Sequence, residues 1–109
     1  MRLRHLAWVG LLSLLLAGCS GSGDEVHLSF LVLHSDAYHG RVVTVEGGVR
    51  GLEEPEHYWL EDDHYNRVGL SPGQQAQTYL GQQVRVTGRF EAAGERGRQV
   101  RLQQIESLE

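Results

Sequence analysis

Between Arg50 and Arg67 the chain gathers a dense group of side chains with chemical potential: Glu56, His57, Trp59, Glu61, Asp62, Asp63 and His64, flanked by the two arginines. Imidazoles and carboxylates on one hairpin are the ligand set of a divalent metal site, with His57 and His64 as the nitrogen donors. The spacing His-x6-His matches no compact ligand motif, and exposed turn residues account for it equally well. Trp59 offers a different chemistry. If Tyr58 and Leu60 face a core, Trp59 faces outward, where an indole can stack on a planar base or a sugar face. Arg50 and Arg67 would stand beside it, making Trp59, Arg50 and Arg67 the candidate ligand-binding group.

Catalysis finds no foothold in these residues, and the expectation is a protein that is not an enzyme. There is no glycine-rich phosphate loop and no nucleophile motif. Asp62 and Asp63 fall in turn chemistry (Asp62-Asp63-His64-Tyr65-Asn66), where solvent access favours the ordinary ionised form. No cofactor is expected.

The one cysteine, Cys19, follows an N-terminus with a distinct grammar. Arg2 and Arg4 give it positive charge. Leu6 to Leu16 is an apolar run too short to remain as a membrane-spanning helix. Leu16-Ala17-Gly18-Cys19 then places small residues before the cysteine. This stretch resembles the lipobox of bacterial lipoproteins. The resemblance implies diacylglycerol on the Cys19 sulfur, cleavage before it, and acylation of the new amine. Two or three acyl chains anchor a protein stably where one is marginal. The implied division is a signal peptide over 1–18, a lipidated polar tether over 19–25, and a folded domain over 26–109. Ser20, rather than Asp, directly follows the cysteine; under the sorting pattern of enteric bacteria this implies the outer membrane, facing the periplasm.

Loss of residues 1–18 removes two of the 10 basic residues, so 8 arginines face 14 acidic residues, a net charge of −6 with histidine neutral. A domain this acidic is a poor partner for nucleic acid, whose non-specific binding runs on phosphate neutralisation. With its only cysteine lipidated, the domain has no internal disulfide and must be held by a hydrophobic core of modest size.

The elements that would position these residues are announced by a phrase the chain repeats. Tyr38-His39-Gly40-Arg41-Val42-Val43-Thr44-Val45-Glu46-Gly47-Gly48-Val49 recurs, 41 positions on, as Tyr79-Leu80-Gly81-Gln82-Gln83-Val84-Arg85-Val86-Thr87-Gly88-Arg89-Phe90. Each copy reads as a turn entering a strand, with Val43, Val45 and Val49, or Val84, Val86 and Phe90, on the buried face. Gly47 and Gly88 fall in the buried row, where a missing side chain marks a bulge or sharp coil. Between the copies lie strands over His57–Glu61 (Tyr58 and Leu60 inward) and Arg67–Leu70 (Val68 and Leu70 inward). A short helix over Gln74–Leu80 follows, with Ala76, Tyr79 and Leu80 on its apolar side. Glu91–Gly97 is a hairpin loop and Gln99–Ile105 a last strand, with Ile105 re-entering through a bulge. Ahead of the first copy, Ser29 is expected to cap a short helix over Phe30–His34.

Three strands, a short helix and two strands is the order of an all-β, five-stranded Greek-key OB-fold barrel. The stretches from Asp36 to Val49, from His57 to Asp63 and from Tyr79 to Glu91 resemble small bacterial OB-fold domains of the anticodon-binding type and periplasmic stress-related OB-fold proteins. That resemblance implies the fold and leaves the ligand open. The expected function is a membrane-anchored module engaging an envelope protein or small ligand. The alternatives are a binder of single-stranded nucleic acid or oligosaccharide, and a metal- or stress-ligand protein using His57 and His64.

Overall fold

The computed structural model describes residues 23–92 and 97–109; the expected signal peptide over 1–18, Cys19 and the tip of the expected Glu91–Gly97 loop lie outside them. The chain is predominantly β, with a six-stranded sheet and three short helices. In chain order these are β1 (Asp24–Glu25), α1 (Leu28–Leu33), α2 (Ser35–Tyr38), β2 (Val42–Glu53), β3 (Glu56–Glu61), β4 (Arg67–Ser71), α3 (Gly73–Gln77), β5 (Gln83–Glu91) and β6 (Gln99–Ser107). The strands pair in the order β1-β2-β3-β4-β6-β5, and β5 pairs again with β2. Only the β1–β2 and β4–β6 pairings are parallel.

The repeated phrase is resolved by the β2–β5 ladder: its two copies pair with each other. Val45 lies opposite Val86, its own counterpart, and the other pairs are disposed symmetrically about that point. Gly88 faces Val43, while Gly47 faces Val84, so each buried-row glycine meets the other copy's valine. The turns obey the same relation. The Arg41 N–H donates to the Tyr38 carbonyl and the Gln82 N–H to the Tyr79 carbonyl, both at 2.9 Å. Gly40 and Gly81 sit inside these turns at φ +83° and +84°, a conformation that favours glycine. The Gly40 N–H bonds the Phe90 carbonyl and the Gly81 N–H bonds the Val49 carbonyl, so the last residue of each phrase closes the first turn of the other. Repetition in the sequence thus becomes a local two-fold arrangement of two long strands.

The core follows the period-two pattern. Val43, Val45, Val49, Leu60, Val68, Val84, Val86, Phe90 and Val100 are all at most 1% exposed, with Tyr58 and Leu70 only slightly more. The Ile105 re-entry occurs as expected: Thr87 pairs Gln104 but Gly88 pairs Leu102, so Gln103 is the extra residue of a bulge on β6, and Ile105 packs against the core half-buried.

Several expectations are corrected. Among the described residues a sixth strand joins the five expected, because Asp24 and Glu25, assigned by composition to the tether, pair in parallel with Val43 and Thr44. The first helix begins at Leu28, with His27 as its N-cap residue, and Ser29 makes no cap. Burial of both Leu28 and Leu31, one turn apart, requires Leu28 to be helical. Ser35 instead donates from its hydroxyl to the Val32 carbonyl at 2.8 Å, where the chain breaks into α2. The helix before β5 ends at Gln77, and Leu80 stands 52% exposed rather than joining the apolar side with Ala76. Among the described residues no helix is long and apolar enough to cross a membrane.

Candidate functional site

β3 presents His57, Trp59 and Glu61 on its outer face because Tyr58 and Leu60 are committed to the core. Ladder registers then determine the neighbours. Arg50 of β2 lies opposite Trp59 on one flank, and Gly69 of β4 lies opposite it on the other. Arg67 lies opposite Glu61. With no side chain at Gly69, the Arg67 side chain folds over the indole, its guanidinium carbon 5.0 Å from the Trp59 centroid.

Glu61 holds this group together. Its Oε1 accepts from the indole N–H of Trp59 at 3.1 Å and forms an ion pair with Nε of Arg67, 2.8 Å away. Its Oε2 lies 3.8 Å from Nε of Arg50. The Glu61 side chain is only 12% exposed, whereas the two arginines are half exposed, so the carboxylate is a covered anchor and the guanidiniums are its outer, wet partners. Exposed ion pairs and surface cation–π contacts contribute only about 0.2–1 kcal/mol each. Their effect here is positional: the indole is fixed by its N–H and by one face. On the same strand face the His57 ring lies 5.1 Å from the Trp59 ring, tilted by 31°. His57 Nδ1 is 2.8 Å from the Pro55 carbonyl. A carbonyl can only accept, so Nδ1 carries the hydrogen and Nε2 is left to face solvent or ligand.

Beside Trp59 runs a groove of about 880 Å³, bordered by the β2–β3 turn, the β4–α3 junction and the start of β6. Trp59, Tyr58, Arg67, Pro72, Arg98 and Gln99 are among its lining residues. Its volume falls within the range of small-molecule sites. Tyr58 lies 6% exposed beneath it, and burial, then the negative charges of Glu56 and Glu53, raise its phenol above the usual value, so it remains a neutral O–H group. Together these groups supply an aromatic face, guanidiniums, an imidazole and a phenol, which suits recognition of a ligand with a planar or weakly polar face and hydrogen-bonding edges.

The sequence-predicted group Trp59, Arg50 and Arg67 is therefore brought together, by way of Glu61. The pair His57 and His64 is not. His57 stacks beside Trp59 near one end of β3, and His64 lies past the other end, in the β3–β4 turn. Among the described residues no group of three or more histidine, cysteine or carboxylate side chains is placed to hold a metal ion. Two of the carboxylates near His64 serve different surroundings: Glu61 anchors Trp59, and Asp62 builds the turn.

In that turn Asp62 Oδ1 accepts from the backbone N–H groups of His64 and Asn66, and Oδ2 from the Asn66 amide. Partial burial alone would raise the Asp62 carboxyl, but the Asn66 and His64 hydrogen bonds outweigh it and hold the group below its ordinary value. A carboxyl lowered on folding contributes stability above its unfolded value near 4, and that contribution is lost as pH falls through the folded value. Asp62→Ala is accordingly expected to lose about 1–2 kcal/mol at pH 7. Urea unfolding from pH 7 down to pH 2 should find the gap between parent and variant narrowing below about pH 4; a pH-independent gap would count against the ionised turn.

Glu61, read from the sequence only as one of the carboxylates on a candidate metal hairpin, is the residue whose part in the Trp59 group sequence reasoning missed. Its parity with Trp59 was visible, but its contact with both arginines depends on strand register. No protein-family model matches the chain, and comparison with curated proteins finds no match.

Proposed function

We propose that this chain is a lipid-anchored protein of the bacterial cell envelope, held by acylated Cys19, whose single five-stranded Greek-key OB-fold barrel binds a periplasmic partner or ligand on the Trp59 face. The barrel reading is supported by the circuit of pairings, β2 to β3, β4, β6, β5 and back to β2, with β1 added at the edge of the sheet. The anchoring reading is supported by the Leu16-Ala17-Gly18-Cys19 motif and the charged, apolar leader before it. A binding role, rather than a catalytic one, is supported by a site rich in recognition groups.

The observation that carries the binding reading is the fixed, partly exposed indole of Trp59, held by Glu61 and Arg67 beside a groove. An oriented aromatic with charged and amide neighbours favours oligosaccharide as the small-ligand reading over nucleic acid, which the net charge of −6 disfavours. Trp8 lies in the proposed signal peptide, so the fluorescence of the mature protein reports Trp59 alone. Titration with neutral oligosaccharides, peptidoglycan fragments and short single-stranded oligonucleotides is expected to perturb that fluorescence with a sugar. Trp59→Ala, which removes the reporter and is read by calorimetry beside the parent, should then weaken binding about 5- to 150-fold, the scale of one lost stacking contact. If no small ligand acts, photo-crosslinking from the Trp59 face in cells should capture an envelope protein; capture undiminished by Trp59→Ala, with no sugar response, would sink the assignment of this face. Inhibition of lipoprotein signal peptidase should leave a heavier, uncleaved chain, and an unchanged mass would remove the anchoring claim.

A further inference from the structure

We infer that the edge formed by Phe30, Leu33, Tyr38 and Arg41 rests on the bilayer surface to which Cys19 is anchored, so that the domain is docked on the membrane rather than swinging from a long tether. The inference rests on the lipid-anchoring reading and adds a second contact to it.

Where the chain leaves the fold motivates it. Residues 19–25 would make a loose spacer, but Asp24 and Glu25 are bound into the sheet. Gly23 is packed so closely on the Val42 backbone that a Cβ there would lie 2.7 Å from it. From Cys19 to Gly23 the chain can reach only about 14 Å even when fully extended. An acylated Cys19 therefore holds the residues around Gly23 close to the headgroups.

Those residues suit that position. Arg41 pairs with Asp24 at 2.6 Å. Its guanidinium carbon lies 5.3 Å from the Tyr38 ring centroid, and Tyr38 meets Phe30 edge-on at 6.2 Å. Leu33 is one turn along α1 from Phe30, on a neighbouring part of the helix surface. Phe30 is 48% exposed and Leu33 76%, although α1 buries Leu28 and Leu31 elsewhere. On this same side Arg89, opposite Val42, donates to the Gly40 carbonyl at 2.6 Å. A tyrosine, a phenylalanine and a leucine with arginines beside them form an interfacial composition: the apolar groups enter the headgroup boundary and the guanidiniums meet phosphate. Asp36 is the acidic residue on α2, and Asp24 is already paired. The rest of the domain carries excess negative charge, which an anionic leaflet repels, and this favours one orientation.

Leu33 and Leu80 are both exposed leucines, but Leu80 precedes Gly81, whose N–H bonds Val49, at the end of the β2–β5 ladder remote from Val42. The test uses the chain purified from membranes, its mass read first to establish acylation. Leu33→Trp and Leu80→Trp, each combined with Trp59→Phe, are reconstituted into vesicles of phosphatidylethanolamine and phosphatidylglycerol, with and without brominated acyl chains. The indole introduced at position 33 should lose at least half its fluorescence to the bromolipid, and that at position 80 should be unchanged. Equal quenching at both positions, or none at position 33, overturns the inference. If the purified chain carries no acyl group, the anchoring reading fails by itself; coupling its only cysteine, Cys19, to maleimide-bearing phosphatidylethanolamine, with Trp8→Phe added, then gives the same readout and judges the surface separately.

Discussion

Phe90→Ala is expected to lower the unfolding free energy by about 3–5 kcal/mol, a large part of the roughly 5–15 kcal/mol that holds a domain of this size together. Phe90 is the largest of the fully buried side chains. It ends the second repeated phrase, and its backbone is clamped on both sides: its N–H bonds the Arg41 carbonyl and its carbonyl accepts from Gly40, each at 2.8 Å. That clamp holds the end of β5 on the start of β2, so the surrounding wall has little freedom to collapse into the space an alanine leaves. Val49, which takes the equivalent place in the first phrase, makes the internal comparison. Val49→Ala removes fewer atoms from a site with the same hydrogen-bond pattern and should cost less, about 1–3 kcal/mol. Urea unfolding followed by circular dichroism would measure both. A Phe90→Ala loss below about 1 kcal/mol would mean that this end of the β2–β5 pairing is not a rigid part of the core.

The readability of the fold from the sequence divides along the same lines as its physics. Alternation is a local property, so the inward rows of β2 to β5 were legible residue by residue, from Val43 and Leu60 to Phe90. The short helices were harder, because a six-residue helix is held by what it buries and not by its cap; Ser29 looked like a cap, yet the need to bury Leu28 moved the helix start ahead of it. The two-residue strand at Asp24 carries no periodic signal at all, and it exists because Gly23 can approach the β2 backbone. For the candidate site, the outward direction of Trp59 followed from Tyr58 and Leu60. Its joining to Arg50 and Arg67 through one carboxylate depended on register across three strands, which no single stretch encodes. His57 and His64 failed as a pair for the reverse reason: close in sequence, they are separated by an extended strand, where six intervening residues become a long distance.

Gly88→Ala is expected to be the most disruptive of the smallest substitutions in this chain, costing about 3 kcal/mol or more. A Cβ at position 88 would press into the backbone carbonyl of Arg101 and come within 2.8 Å of the Val100 side chain. Backbone cannot give way as a side-chain terminus can, least of all at the register shift where Gln103 bulges out of β6. Gly47, the same position in the other copy, again separates the geometric from the compositional effect. Its added Cβ would meet the Leu60 side chain first, at 2.8 Å, with the nearest backbone atom, the Glu61 carbonyl oxygen, farther off at 3.1 Å. Gly47→Ala should therefore cost less, about 1–3 kcal/mol, as overpacking of a core contact. In thermal unfolding each kcal/mol corresponds to about 4–8 °C for a domain this small, so the two variants should be well separated. Equal losses would mean that the β5–β6 bulge yields as easily as a leucine. The consequence reaches the proposed binding face. β6 begins at Gln99, which lines the groove and pairs with Gly69 beside Trp59. A Gly88→Ala protein that still folds must displace β6, and its Trp59 should respond less to ligand than that of a Val49→Ala protein compared under conditions where both are folded.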